Sequence, residues 1–94
     1  MSKVLLKKSG HIALLTLNRP EVRNAVDPET LCRMADAFAE LAADDGVRVV
    51  VVTGAGRQAF CAGGDLGRLI PLLSGERAPE DDWDRRFQAE PELF

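Results

Sequence analysis

The stretch VRVVVVTGAGRQAFCAGGDL, Val47 to Leu66, decides how this chain folds. Its first part, Val47 to Gly54, is β-branched almost throughout, with hardly any polar alternation. A parallel strand covered on both faces reads this way. The stretch then leaves the strand through a glycine-rich loop and reaches Gly63 and Gly64, followed by an aspartate and a renewed apolar pattern at Leu66, Leu69 and Ile70. Paired glycines free φ from side-chain limits and let a ligand approach the backbone N–H groups. A tight turn alone would use them too.

Upstream, Lys3 to Lys8 and His11 to Leu17 are short apolar-rich runs separated by Ser9-Gly10, which predicts an antiparallel hairpin. NRPEVRNAVDPET, residues 18–30, breaks the pattern with two prolines and two asparagines and reads as a loop up to Asp27-Pro28. There an N-cap followed by proline at the first helical position predicts a helix over 28–44. Leu31, Met34, Ala35, Phe38, Leu41 and Ala42 form its apolar face, and Gly46 is the expected C′ residue. Strand 11–17, this helix and strand 47–53 then make a βαβ unit with a right-handed crossover. A second helix is expected from Asp65 to about Leu73. The charged remainder offers a broken helix around Asp82 to Gln88, with Asp81, Asp82 and Asp84 as a solvated, mobile face.

Ninety-four residues limit the chain to one domain with a thin core. The net charge of −3, with Lys and Arg scattered, provides no basic stripe for nucleic acid and no polybasic patch for a membrane. Cys32 and Cys61 have no ligand spacing, and only His11 could join them, so no metal site is expected. They read as buried free thiols in a reducing cytoplasm. The opening MSKVLLKKSGH is too short in apolar residues for a signal-peptide core, and no run approaches membrane-spanning length. The expected location is cytoplasmic.

Two chemical readings compete for the glycine loop. Gly54-Ala55-Gly56-Arg57-Gln58-Ala59 fits G-x-G-x-x-[GA] after a strand, as in a nucleotide-binding βαβ half-domain. That fingerprint needs a helix to open within it, and Phe60 to Gly64 interrupt one. The second reading starts a helix at Asp65, so that N–H groups around Gly64 lack intrahelical partners and point out of its positive end. A carbonyl gaining negative charge would be stabilised there, and the bare Cα of Gly64 lets it come close. This is half of an oxyanion hole.

LNRPEVRNAVDPE and VRVVVVTGAGRQAFCAGGDL, separated by one amphipathic helix, resemble the N-terminal half of the enoyl-CoA hydratase/isomerase (crotonase) family over about residues 3–73. The resemblance implies an α/β, crotonase-like (ClpP/crotonase) ββαβ segment, the N-terminal portion of that spiral fold. It implies residues 1–74 as part of one domain and 75–94 as a charged, partly helical or disordered tail. It further implies an acyl-CoA thioester as substrate, with coenzyme A bound as part of it and no separate cofactor. Carried over residue by residue, Gly64 is the expected catalytic donor to the thioester carbonyl. Ala62 falls where family carbonyls hold the adenine, Gly63 beside it, and Asp65 and Leu66 continue the pocket wall. Arg23 and Ala25 match the loop that approaches the CoA phosphates and pantetheine.

The same resemblance implies a homo-oligomer, trimer or hexamer, and a reaction that is most often 2-enoyl-CoA hydration or double-bond isomerisation. Family chains continue well beyond this length and carry the second donor and the proton-moving acids there. The 94 residues are therefore expected to be an N-terminal fragment, inactive alone; a non-catalytic CoA-binding or assembly module is the alternative. Asp65 reads as a helix-start residue rather than a base, because a helix N-terminus favours its charged form. Cys61 reads as filler, and His11 as a surface strand residue.

Overall fold

The computed structural model describes residues 2–90. Strands β1 (Val4–Ser9) and β2 (Ile12–Leu17) form the expected hairpin, but its register pairs Ser9 with Ile12. The loop is therefore Gly10-His11, one residue later than Ser9-Gly10. Ser9 stays in the ladder, and Gly10 alone takes the left-handed conformation, at φ +59°.

Helix α1 (Pro28–Ala42) starts where Asp27 and Pro28 predict, with Asp27 Oδ1 accepting the Thr30 N–H at 2.8 Å. It stops two residues short of 44. Ala43 is the C-cap, and the chain turns through Asp44, whose carboxylate accepts the Gly46 N–H at 2.9 Å and whose carbonyl accepts that of Val47. Gly46 takes no left-handed φ, so it is not a C′ glycine. The aspartate side chain closes the turn instead.

Strand β3 (Val49–Gly54) pairs in parallel with β2, from Ile12 opposite Val49 to Leu17 opposite Gly54, giving the sheet order β1-β2-β3. Ala13, Leu15 and Leu17 of β2 are buried on the face that α1 covers. The expectation that β3 is covered on both faces fails for this chain: Val49 and Val51 are 52% and 43% exposed. They share the opposite face with the exposed Ile12 and Leu14, on which no described element packs. Three strands and one covering helix leave that face bare.

Helix α2 (Leu66–Ser74) contains Pro71 and ends at Gly75, at φ +83°. Helix α3 (Asp82–Ala89) forms where a broken helix was expected, with the Asp81 side chain capping it through the Asp84 N–H at 2.9 Å. It packs on α1. The Arg33 guanidinium stacks over the Trp83 ring at 4.7 Å, and Arg86 forks onto both Asp36 oxygens at 2.7 and 2.9 Å. Asp84 is not solvated but 1% exposed, accepting from the Arg77 guanidinium and from the Glu80 N–H. Residues 91–94, the end of the expected tail, lie outside the described residues.

Candidate active site

Because β2 and β3 are parallel, both run out at the same end of the sheet, and the loops that follow them leave side by side. Open α/β sheets place ligands at such ends. After β2 the chain makes one 3-10 turn, Pro20–Val22, and then two successive left-handed residues, Arg23 at φ +54° and Asn24 at φ +59°. Asparagine tolerates this conformation better than most residues. Asn24 is buried, and it clamps the two loops together: Oδ1 accepts the Arg19 N–H, while Nδ2 donates to the Ala55 and Ala59 carbonyls, both at 3.0 Å.

The loop after β3 folds back so closely that a Cβ on Gly54 would lie 2.2 Å from the Phe60 carbonyl oxygen. No helix opens between Gly54 and Asp65. The G-x-G-x-x-[GA] match therefore lacks the strand-turn-helix geometry that a dinucleotide turn requires.

Beyond Asn24 the loops run parallel. Ala62 N–H donates to the Arg23 carbonyl at 3.0 Å, Val26 N–H to Gly63 at 2.8 Å, and Asp65 N–H to Val26 at 2.8 Å. The last two bonds form an isolated parallel bridge between Val26 and Gly64. Backbone groups alternate in direction along an extended chain, so with Gly63 C=O and Asp65 N–H facing Val26, the Gly64 N–H faces away. It has no acceptor among the described residues. Gly63 reaches this path at φ +97°, and a Cβ on Gly64 would press on Leu69 Cδ1 at 3.0 Å. An outward N–H two residues before the first residue of a helix is a donor suited to an oxygen gaining negative charge.

Arg23, Ala25, Ala62, Gly63, Gly64 and Asp65 thus lie along one strip of paired backbone, with the exposed Leu66 opening α2 next to it. The Arg23 side chain belongs to an adjoining cleft of about 480 Å³, shared with Pro20, Gly56 and Arg57. Arg57 escaped the sequence reading, although its place inside the glycine loop was a signal. Two others escaped it as well. Arg19 carries its guanidinium to Asp65 at 3.3 Å and Asp27 at 3.7 Å, and Asn24 makes the clamp. Their positions in a loop with two prolines hinted at a structured turn, but their partners lie up to 46 residues away.

Asp27 anchors the charges beneath the site. Burial pushes its carboxyl up, but hydrogen bonds from Lys3 and Thr30 and the Arg19 charge outweigh that and hold it below the usual carboxylate range. Asp65, at the N-cap of α2, makes no capping bond and faces Arg19 instead. His11 lies in the hairpin turn, its Nδ1 donating to the Gly46 carbonyl at 2.8 Å, at the other end of the sheet. Six residues of β2 separate it from the site, about 20 Å at the rise of a strand. Cys61, expected to be buried, is half-buried, and its Sγ accepts the Gly63 N–H at 3.4 Å. Cys32 is buried, and that burial raises its thiol pKa. Among the described residues no cluster of three His, Cys, Asp or Glu could hold a metal, and no helix is long and apolar enough to cross a membrane.

A sequence profile described as enoyl-CoA hydratase/isomerase matches residues 7–89. The chain belongs to the enoyl-CoA hydratase/isomerase family. Within that family, it is 43% identical over 68 residues to (E)-benzylidenesuccinyl-CoA hydratase of Thauera aromatica, which covers 72% of this chain and 27% of that protein. Among solved structures it resembles a carnitinyl-CoA dehydratase from Mycobacterium avium 104, with 43% identity, a TM-score of 0.67, and coverage of 71% of this chain and 26% of that one. An enoyl-CoA hydratase/isomerase from Mycobacterium paratuberculosis matches 97% of this chain and 34% of its own, at 31% identity and a TM-score of 0.73. The β1-β2-α1-β3 segment is thus the N-terminal part of the crotonase-like fold that the enoyl-CoA hydratase/isomerase family shares. The chain spans about a quarter to a third of the length of these relatives.

Proposed function

We propose that this chain forms the thioester-binding part of an acyl-CoA-processing enzyme, a hydratase (lyase) or isomerase of 2-enoyl-CoA, in which the Gly64 N–H is one of two oxyanion donors. The observation that carries the reading is the Val26–Gly64 bridge, which turns that N–H away from the loop and leaves it without an acceptor. In this reading the acyl carbonyl oxygen accepts from Gly64 and gains charge as the enolate or its equivalent develops. Ala62, with Gly63 beside it, lies where backbone carbonyls hold the adenine, Asp65 and Leu66 continue the pocket wall, and Ala25 lies along the pantetheine arm. Arg23, at the neighbouring cleft, supplies a cation for the CoA phosphates.

Coenzyme A enters as part of the substrate. The second donor, the proton-moving acids and the oligomeric contacts lie, in this reading, outside these 94 residues, and the enzyme works in the cytoplasm. One oxyanion donor is worth about 2.7–4 kcal/mol of barrier, too little for turnover without a base. Asp65 is the nearest carboxylate and is engaged by Arg19, so the 94 residues alone are expected to bind without turning over.

Calorimetric titration with crotonyl-CoA and with NAD tests the assignment: the thioester is expected to bind and NAD not to. NAD binding without thioester binding would overturn it. In a longer chain that turns over, Gly64→Pro removes the donor and should lower turnover by about 10²–10³ with CoA affinity nearly intact. Circular dichroism must show the variant folded before the rates are read. Unchanged turnover in the folded variant would take Gly64 out of the mechanism.

A further inference from the structure

One guanidinium reaches a backbone carbonyl and two carboxylates around Gly64. Arg19 Nη1 donates to the Ala25 carbonyl at 2.6 Å and lies 3.3 Å from the Asp65 carboxylate, while Nη2 is 3.7 Å from Asp27 Oδ2. The side chain is largely buried, and its Nε has no partner among the described residues. An unpaired buried nitrogen on a cation costs stability, so stability alone does not account for burying this group. Its contacts do share a location. Ala25 immediately precedes Val26 and Asp65 immediately follows Gly64, so the fork spans the bridge from both strands.

We propose that Arg19 is a positioning residue whose Nη1, shared between the Ala25 carbonyl and the Asp65 carboxylate, clamps the two strands across the Val26–Gly64 bridge and so fixes the direction of the Gly64 N–H. The bridge itself is held by two hydrogen bonds, steadied on one side by the single Ala62 N–H to Arg23 carbonyl bond and not continued as a ladder past Asp65. Arg19 supplies a further constraint: Nη1 meets both the Ala25 carbonyl and the Asp65 carboxylate, and the planar guanidinium, with Nη2 towards Asp27, fixes where that nitrogen sits. The Asp65 carboxylate completes the clamp by facing Arg19 rather than capping α2. A lysine at position 19 would keep the charge, but its compact, freely rotating ammonium has no second nitrogen to stay towards Asp27 while it meets Ala25 and Asp65, so their direction would no longer be fixed. The role in chemistry rests on the function proposed above; the clamp itself is a property of the ligand-free chain.

Amide hydrogen exchange followed by NMR reads the clamp without any ligand. In Arg19→Lys and in Asp65→Asn, the Val26 and Asp65 amides should exchange about tenfold faster, while those of Leu15 and Thr16 in β2 stay protected. The double variant should exchange no faster than Asp65→Asn, since both changes break one link. Wild-type exchange at Val26 and Asp65 in both single variants would overturn the proposal, and if Arg19→Lys fails to fold, Asp65→Asn decides alone. The chemical half is read with butyryl-CoA carrying ¹³C at the thioester carbonyl. Wild type should shift that resonance downfield on binding; Arg19→Lys should bind within about twofold of wild type with a smaller shift. Equal shifts in the two proteins would refute positioning. Absence of any binding by wild type would sink the function reading, and the exchange data would still decide the clamp.

Discussion

A Cβ on Gly54 would meet two backbone carbonyl oxygens, Phe60 at 2.2 Å and Ala59 at 2.8 Å, and neither can step aside. Gly63 is constrained differently: nothing lies within 4 Å of its missing Cβ, but its φ is +97°. Gly54→Ala should therefore destabilise by about 3 kcal/mol through overpacking, and Gly63→Ala by about 1–2 kcal/mol through backbone strain. Urea midpoints would rank them, and equal losses would contradict the distinction. Asn24→Gly separates the same two effects at the neighbouring position. It relieves the left-handed φ but leaves the part-buried Ala55 and Ala59 carbonyls and Arg19 N–H without their partner, a net loss of about 1–3 kcal/mol. A variant as stable as wild type would show that water satisfies all three. Gly63 and Gly64 stood out in the sequence because they are adjacent and precede an aspartate. Asn24 did not, because its partners lie 31 and 35 residues along the chain.

At the scale of elements, α1, the hairpin and α2 were legible because each is punctuated locally: Asp27-Pro28 opens α1, Gly10 turns the hairpin, and Asp65 precedes α2. The ends that depend on distant groups were not. Asp84 reads as one more acid in a charged run until Arg77 folds back to meet it, and the Val-rich β3 reads as covered although this chain provides no second layer. Arg77, by hydrogen bonding, lowers the pKa of Asp84 against the cost of burial, with the Glu80 N–H assisting. Asp84→Ala would leave Arg77 only Glu80 and the Arg68 carbonyl and would take the acceptor from the Glu80 N–H. An eight-residue helix holds little by itself, so α3 should undock while the sheet persists. Trp83 is the only tryptophan, so its fluorescence reports the event directly. A red-shifted emission with β2 amides still protected is expected, and an unchanged spectrum would place the stability of α3 elsewhere.

For the whole molecule, Asp27 and Asp84 both hold folded pKa values below those of the unfolded chain. The stability they contribute is present above about pH 4 and is lost as pH falls through their folded values. Denaturant midpoints should be level from pH 7 to 5 and drop below 4, and Asp84→Asn should flatten part of that drop. The bare sheet face bears on the state of the isolated chain in solution. Light scattering should give a mass above the 10.2 kDa of one chain, and Val51→Lys, which places a charge in the middle of that face, should lower it. A wild-type monomer would show that the face tolerates water. The parallel pairing of β2 with β3 also sets an order in time. The hairpin closes over two residues, whereas β3 can join only after residues 18–48 have been looped out, an entropic cost met before any pairing is returned. Loop 19–26, with its two left-handed residues, has nothing to clamp until residues 55–65 arrive behind β3. The Gly64 donor is thus assembled only once β3 has joined β2, and any partial opening that releases β3 should erase it.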